Sequence, residues 1–234
     1  MNNDDLVYDD MLESTIGGVE DALGAVTAAA VELIEGVDHA DVLLIEDGEF
    51  RSVTPTSPVI VRLDTAQREL QEGPCLAAAL SEAVVRSPNL GNDARWPRFG
   101  PVAVDAGVHR ILSFQLYTHR RGAGALNLLS ATTGTFDLEA EAIGAMLATH
   151  AATVLIAANR KRQFESALAS RDVIGQAKGI IMERFHVDAV RAFELLTSLS
   201  RDSNTPLPMI AQELVARIMK DHPSRDEVIR GTRC

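Results

Sequence analysis

The chain has 234 residues, of which 46% are hydrophobic and 24% charged, a composition typical of a soluble globular protein with one or two domains. Its unbroken apolar runs are shorter than the roughly 18 residues that a transmembrane helix needs, and residues 1–14 are acidic, unlike a secretion signal. We therefore expect a cytoplasmic protein that does not enter the membrane. The two cysteines, Cys75 and Cys234, form neither a disulfide framework nor a metal-ligand spacing.

The net charge of −11 is distributed unevenly along the chain. Residues 1–158 carry 9 Lys+Arg and 23 Asp+Glu, whereas residues 159–234 carry 13 Lys+Arg and 10 Asp+Glu. An acidic front part repels a polyanion, so any nucleic acid should meet the C-terminal part. The charge alone favours an ordinary solvated surface, and only the spacing of the motif favours nucleic-acid binding.

The first two-thirds of the sequence predicts helices arranged around an antiparallel sheet. Residues 1–14 are expected to be a flexible acidic tail, and residues 16–35 repeat apolar side chains at helical spacing. A hairpin turning at Asp47-Gly48, a strand near Val84 and a second hairpin around Arg120-Arg121-Gly122 follow, with short helices between them. This order of elements predicts an α+β fold.

Several blocks of this part occur in the order found in a known family. They are LQEGPCLAAAL, RWPRF, ILSFQL, GALNLLS and FDLEAEAIGAMLATHAATVL, and over residues 15–157 they resemble a GAF sensory domain. The resemblance implies a GAF-like sheet flanked by helices and a site for a small molecule or a partner. The ligand is unknown, and the candidate residues for its site are Cys75, Trp96, Phe99 and Phe114.

Two of these residues have a structural alternative. Cys75 lies between Pro74 and Leu76, which favours a buried, inert thiol over a thioether attachment or a redox role. Trp96 is as well suited to closing the edge of the sheet as to stacking on a planar ligand.

No metal site and no enzymatic activity are predicted. The six histidines are scattered along the chain without a pair at ligand spacing. The sequence also contains neither a phosphate-binding loop nor a nucleophile elbow.

A long connecting helix is predicted to start at Asp137. Asp137 can cap the first turn, and neither glycine nor proline occurs from Ala145 to Ile174. Residues 137–168 are expected to overlap both domains and to form the seam of a homodimer, with packing inside one chain as the alternative. The seam follows alternating steps of four and three residues: Ile143, Leu147, His150, Val154, Ala157, Lys161, Phe164 and Leu168.

Residues 164–220 predict a bundle of three helices. The first should end near Phe185, the second should be capped by Asp188, and the third should follow a Thr205 cap and Pro206. SRDVIGQAKGIIMER followed by AFELLTSLSRDSNTPL resembles the ANTAR domain, the RNA-binding output module of bacterial transcription antiterminators. Residues 221–234 are expected to be a polar tail.

The ANTAR resemblance implies binding to stem-loop RNA in leader transcripts. Cationic groups suit phosphates, and amides or hydroxyls suit base edges. Gly175 and Gly179 each cost up to ~1 kcal/mol within a helix, which either close helix packing or close approach of RNA would explain. Phe185 and Phe193 are expected in the core rather than as base-stacking platforms. The candidate RNA contacts are Arg171, Gln176, Lys178, Arg184, Ser200, Arg201, Asn204 and Thr205.

Taken together, the sequence predicts a signal-responsive transcription antiterminator. The GAF-like domain would sense a small molecule or partner, the connecting helix would transmit the change, and the bundle would hold RNA to prevent termination. A DNA-binding regulator with helix-turn-helix geometry and a sensory scaffold acting through protein partners are the alternatives.

Overall fold

A computed structural model describes residues 3–46, 48–119 and 122–221. The chain divides into two compact units, residues 1–158 and residues 159–234. Two buried clusters, one on each face of a sheet, form the core of the first unit, and a third forms the core of the second.

The first unit contains a five-stranded antiparallel sheet in the order β2-β1-β5-β4-β3. The predicted α+β architecture with a GAF-like sheet is therefore confirmed. Its elements in chain order are α1 (Asn3–Leu33), β1 (His39–Glu46), β2 (Glu49–Val53), α2 (Pro58–Leu70), α3 (Pro74–Leu80), β3 (Val84–Ser87), a 3₁₀ turn (Leu90–Asn92), α4 (Phe99–Asp105), β4 (Arg110–His119) and β5 (Gly122–Ser130).

Helices cover both faces of this sheet. Val42 and Leu44 of β1 belong to the cluster on the α1 face, whereas Leu43 and Ile45 belong to the cluster shared with α2, α3 and α4. Strands that are covered on both sides read as continuous apolar runs rather than as an alternation. This explains why all nine residues of β5 are buried.

One 48-residue helix, α5 (Leu138–Phe185), supplies residues to both units. Asp137 caps it as predicted, because its Oδ1 accepts a hydrogen bond from the Ala140 N–H at 2.8 Å. Ala148 and Ala151 pack into the same cluster as α1 and the sheet.

The predicted seam along α5 falls into two parts. Leu147 is buried in the core of its own domain and Ile143 packs against it, so the intramolecular alternative applies to this end. Phe164 and Leu168 in the second unit are 71% and 46% exposed.

Helix α5 also contains an 18-residue window with a mean hydropathy of 1.5, of which 28% is buried. Among the described helices it is the one long and apolar enough, by length and composition alone, to cross a membrane. The window includes short polar interruptions, which is why the sequence contains no unbroken apolar run of that length.

The N-terminal tail prediction also needs correction. Residues 3–14 belong to α1, which begins at Asn3, because no glycine or proline interrupts the sequence before Gly17. Of the predicted polar tail, residues 222–234 lie outside the described residues, as do the turn residues Asp47, Arg120 and Arg121.

The second unit joins the end of α5 to α6 (Ala189–Asp202) and α7 (Leu207–Asp221). Asp188 caps α6 as predicted, accepting the Arg191 N–H at 2.8 Å. Thr205, the expected cap of α7, donates its hydroxyl to the Ser203 carbonyl at 3.2 Å, and α7 begins two residues after it. The core of the bundle is Ala177, Ile181, Ala192, Leu196, Ile210 and Ala211.

Gly144 is where α5 lies against the sheet most closely, and its replacement tests that packing. A Cβ at this position would lie 2.6 Å from the Phe114 ring and 3.1 Å from Leu128 Cδ1. We expect Gly144→Ala to lower the free energy of unfolding by about 1–3 kcal/mol through overpacking. Urea unfolding measures the change.

Gly18→Ala is the matched control in α1, where an added Cβ meets no described atom within 4 Å. It should be neutral or stabilising by up to ~1 kcal/mol. Equal stability of the two variants would contradict the packing of α5 on Phe114.

Candidate nucleic-acid interface and sensory core

A groove of about 530 Å³ lies between α5 and α6 in the second unit. Two cations, Arg171 and Lys178, stand on its α5 side, and Phe193 of α6 forms the opposite wall. The full lining is Ala167, Ser170, Arg171, Ile174, Gly175, Lys178 and Phe193, so no lining residue is acidic. The groove combines an apolar floor with positive charge at its rim.

The two glycines of α5 leave this part of the helix surface uncovered. An added Cβ at Gly175 or Gly179 would meet no described atom within 4 Å. Close helix packing within the described part of the chain therefore does not explain them. Close approach of RNA remains as the other explanation of the two glycines.

The expectation that Phe185 and Phe193 belong to the core is wrong. Their exposed fractions are 63% and 46%. On α6 the inward positions are taken by Ala192 and Leu196, and Phe193 lies about 100° around the helix from Ala192. Phe193 therefore presents part of its ring to the groove.

A second groove of about 370 Å³ lies along α6 and shares Phe193 with the first. It contains Arg201, one of the predicted RNA contacts. Arg191 also lines it, but its guanidinium is paired with Glu194 at 2.9 Å. The second groove is thus less uniformly positive than the first.

Two other predicted contacts on α5 lie away from the first groove. Gln176 follows Arg171 by five residues and Arg184 follows Lys178 by six, which places them about 140° and 120° around the helix. Both side chains are exposed. The structure brings Arg171 and Lys178 together, and it does not bring Gln176 or Arg184 to them.

The remaining predicted contacts form the turn between α6 and α7. The Ser200 hydroxyl donates to the Thr205 carbonyl at 2.6 Å, and the Thr205 N–H donates to the Ser200 carbonyl at 3.1 Å. Asn204 is exposed and has a left-handed φ of 51°. Ser200 and Thr205 thus fix the turn that presents Asn204.

In the first unit, the four predicted ligand residues do not share one site. Cys75, Trp96 and Phe99 are buried on the face covered by α2, α3 and α4. Phe114 lies on the opposite face of the sheet, in the cluster with α1 and α5, because alternate residues of a strand point to opposite sides. Phe114 therefore does not share one site with the other three residues.

The segment containing Trp96 is tied to its surroundings by ion pairs. Arg98 Nε lies 3.1 Å from Glu72 Oε2, and the same carboxylate accepts the Phe99 N–H at 2.8 Å. The Arg95 guanidinium stacks over the Trp96 ring, 4.2 Å from its centroid. Trp96 is buried, which agrees with the alternative that its side chain closes the edge of the sheet.

A buried polar row, Asp41 of β1, Asn127 of β5 and Ser113 of β4, was not recognised in the sequence. Asp41 pairs with Asn127 and Asn127 with Ser113 in the register of adjacent strands, and all three side chains are completely buried. They face α2, from which Asp64 and Gln67 point inward. A polar residue inside each of the apolar runs ADVLLIE and GALNLLS was the available signal.

Burial sets the protonation of this row. Desolvation, together with the charge of Asp64, raises the pKa of Asp41 well above its usual range, and desolvation also raises the pKa of Asp64. Desolvation and these two carboxylates raise the pKa of Cys75, which keeps its thiol neutral and unreactive. Among the described residues, no three or more His, Cys, Asp or Glu side chains are arranged to hold a metal ion.

Two family models match the chain. A GAF domain matches residues 18–155 and an ANTAR domain matches residues 162–215. No curated protein matches the chain.

Among solved structures, the chain is similar to the GAF3 domain of Slr1393 from Synechocystis sp. PCC6803, with 10% identity and a TM-score of 0.50 over 62% of this chain and 98% of that one. It is also similar to the GAF domain of a phosphoenolpyruvate-protein phosphotransferase from Coxiella burnetii, with 18% identity and a TM-score of 0.48 over 66% of this chain and 95% of that one. A third similar structure is a type II free methionine-R-sulfoxide reductase from Thermoplasma acidophilum, with 16% identity and a TM-score of 0.42 over 58% of this chain and 93% of that one. At 10% identity the likeness to the GAF3 domain shows the fold alone.

The raised pKa of Asp41 predicts how stability depends on pH. An unfolded aspartate titrates near ~3.9, so the folded chain holds this proton to higher pH than the unfolded chain does. The bound proton of Asp41 therefore contributes favourably to the free energy of unfolding. This contribution is complete below the pKa of the unfolded chain and is lost as pH rises through the pKa of the folded chain. We expect Asp41→Asn to become progressively more stable relative to the natural chain as pH rises above ~4, measured by urea unfolding.

The quantity to compare is the difference in free energy of unfolding between the variant and the natural chain. Asp93 and Glu141, whose pKa values are lowered by hydrogen bonds from Arg95 and Arg86, contribute with the opposite sign, and their contributions cancel in this difference. The control is Asp105→Asn, which removes an exposed carboxylate instead of a buried one. If the stability difference between Asp41→Asn and the natural chain does not change with pH, the buried carboxyl does not hold its proton.

Proposed function

The chain belongs to the GAF domain family and carries an ANTAR domain behind its GAF domain, and from this premise we propose that it is a signal-responsive transcription antiterminator. Its GAF domain is a sensory domain and its ANTAR domain is an RNA-binding domain. We propose that the bundle binds stem-loop RNA in leader transcripts and prevents termination. It would do so in the cytoplasm and without catalysing a reaction.

The groove between α5 and α6 is the observation that carries the RNA-binding proposal. Arg171 and Lys178 supply positive charge, Gly175 removes side-chain bulk between them, and Phe193 offers an exposed ring. RNA loops present unstacked bases that pack on aromatic rings while cations hold the adjoining phosphates. A helical surface built only for solubility would not leave an uncovered glycine beside a half-exposed phenylalanine.

The charge distribution supports the same assignment. Residues 1–158 have a net charge of −14 and residues 159–234 of +3. Phosphates are repelled by the first set and attracted by the second. RNA should therefore meet the bundle and not the sensory domain.

We further propose that the chain forms a homodimer along α5. Phe164 and Leu168 are 71% and 46% exposed in the second unit, and Met146 and Ile156 are 62% and 43% exposed in the first. A second copy would cover such apolar side chains. Signal transfer then follows from ligand-dependent packing of α5 on the sheet, since α5 contributes residues to both units.

The cations of the groove provide the first test. Because each side chain neutralises a phosphate, we expect Arg171→Gln with Lys178→Gln to weaken binding of a two-stem-loop RNA by about tenfold or more and to lower the slope of log affinity against log salt by about 1.5. Gel-shift titrations at several salt concentrations measure both quantities.

Arg160→Gln is the matched control, because it removes an exposed cation of α5 outside the groove. Arg184→Gln asks separately whether the interface extends around the helix. Undiminished binding by the double variant would contradict the site, and equal competition by duplex DNA would favour a DNA-binding regulator.

Phe193 provides the second test. Phe193→Leu keeps apolar bulk but removes the ring, so we expect a loss of roughly 1–3 kcal/mol in RNA binding with an unchanged salt slope, whereas Phe193→Trp should retain affinity. Phe185→Leu, which changes an exposed phenylalanine outside both grooves, is the control. Natural affinity in Phe193→Leu would show that no base stacks there.

A further inference from the structure

A cavity of about 130 Å³ lies in the first unit between β3, β4, the loop before α5 and the first turn of α5. Ile111 and Leu112 of β4, which are 2% and 0% exposed, supply apolar surface to it together with Phe136. Gly134 and Thr135 also line it and are exposed, so the cavity is reached from solvent past this loop. None of the four predicted ligand residues belongs to its described lining.

The aromatic wall of the cavity is held in place from outside. The Arg110 guanidinium stacks on the Phe136 ring, 4.1 Å from its centroid. Its two Nη atoms donate to the carbonyls of Thr135 and Gly36, each at 3.1 Å. Arg110 is not part of the described lining, so it supports the ring without filling the cavity. The cavity is therefore preformed, as small-molecule sites usually are.

The charge at the cavity is balanced. Arg86 and Glu141 are the charged residues of its described lining, and Arg86 Nε and Nη2 donate to the two carboxylate oxygens of Glu141 at 2.6 Å and 2.8 Å. The hydrogen bonds from Arg86 lower the pKa of Glu141, which keeps this carboxylate charged at neutral pH. A charged ligand would have to break the pair or lose its hydration without gaining a counter-charge, and both cost free energy. The cavity therefore suits an uncharged molecule.

The volume of the cavity limits the size of its occupant. An apolar protein cavity of roughly 150 Å³ holds benzene, whereas sites for drug-sized ligands measure roughly 300–1,000 Å³. At about 130 Å³, the cavity has room for one small ring or a short chain of similar bulk.

We propose that this cavity is a ligand site of the sensory domain and that it takes an uncharged, mainly apolar molecule of about the size of benzene. Such an occupant contacts Phe136, which precedes the helix cap Asp137, and Glu141 in the first turn of α5. It therefore acts at the start of the helix that supplies residues to both units. The assignment rests on the proposed sensory function and adds the place and the chemical class of the ligand.

The test uses the full chain and simple molecules as probes. Phenol, which is uncharged at neutral pH, is compared with benzoate and benzylammonium, which add a charge to the ring, and with a naphthol, which is one ring larger. Two-dimensional NMR should show saturable shifts of the amide signals of residues 134–141 with phenol, and at least about tenfold weaker binding of the other three probes. No saturable shift of these signals with phenol, or equal affinity for all four probes, would overturn the assignment.

A blocking substitution locates the bound probe. Thr135→Trp places a large ring at the exposed rim of the cavity, so phenol should bind about tenfold or more weakly. Thr133→Trp is the matched control, because Thr133 is an exposed residue of the same loop that lies outside the described lining, and it should bind phenol like the natural chain. Equal phenol affinity of the two variants would also overturn the assignment.

The argument from charge has its own variant. Glu141→Gln leaves the guanidinium of Arg86 without a counter-charge, so benzoate should bind at least about tenfold more tightly than it binds the natural chain. Unchanged benzoate affinity would contradict the assignment of an uncharged ligand to this cavity.

RNA binding by the same preparations is measured alongside. RNA binding by a chain that does not bind phenol at the cavity would refute this inference and leave the antiterminator proposal intact. Phenol binding at the cavity by a chain that does not bind RNA would do the reverse.

Discussion

The structure depends on α5 remaining one uninterrupted helix, because it contributes to two separate cores. Ala148 and Ala151 pack with the sheet, and Ala177 and Ile181 pack in the bundle. Between these contacts, most side chains of residues 159–170 are exposed, so tertiary packing does little to stabilise this stretch. Isolated helices of roughly 12–15 residues are marginal in water, and a partner helix lying on Phe164 and Leu168 would supply the missing stabilisation. The proposed dimerisation would therefore be linked energetically to the continuity of α5.

The two faces of the sheet carry different chemistry. The face under α1 and α5 is apolar, whereas the face under α2 and α3 contains the row of Asp41, Asn127 and Ser113. An unsatisfied buried polar group costs roughly 1–3 kcal/mol, which is a large fraction of the about 5–15 kcal/mol that stabilises a typical domain.

The arrangement also suggests how the two faces communicate. Asn127 lies between Leu126 and Leu128 on β5, and both leucines belong to the cluster that includes α5. Neighbouring residues of a strand point to opposite faces, so a shift of the strand at Asn127 displaces the leucines under α5. The sheet itself is thus the shortest physical route from the polar row to the helix.

The sequence predicted what depends on local chemistry and missed what depends on which face a residue occupies. The caps Asp137 and Asp188 and the hairpins follow from short-range rules, and the structure has them in place. Phe114 and Phe193 were misplaced because an apolar residue within an apolar run can point to either side. The polar row escaped notice because Asp41, Ser113 and Asn127 are far apart in the sequence and become neighbours only through strand register.

The second unit shows the same tension between stability and function in its helices. Gly175 and Gly179 weaken α5 by up to ~1 kcal/mol each relative to alanine, and the exposed ring of Phe193 forgoes burial that would stabilise a small bundle. Gly175 and Phe193 line the groove and Gly179 follows the lining residue Lys178, while Ala177 and Ile181 of the same helix pack in the core of the bundle. Random losses would be scattered over the bundle, so their concentration next to Arg171 and Lys178 favours a binding surface. Because RNA seated there would cover the ring and the glycine backbone, binding would recover part of the stability that the free bundle lacks.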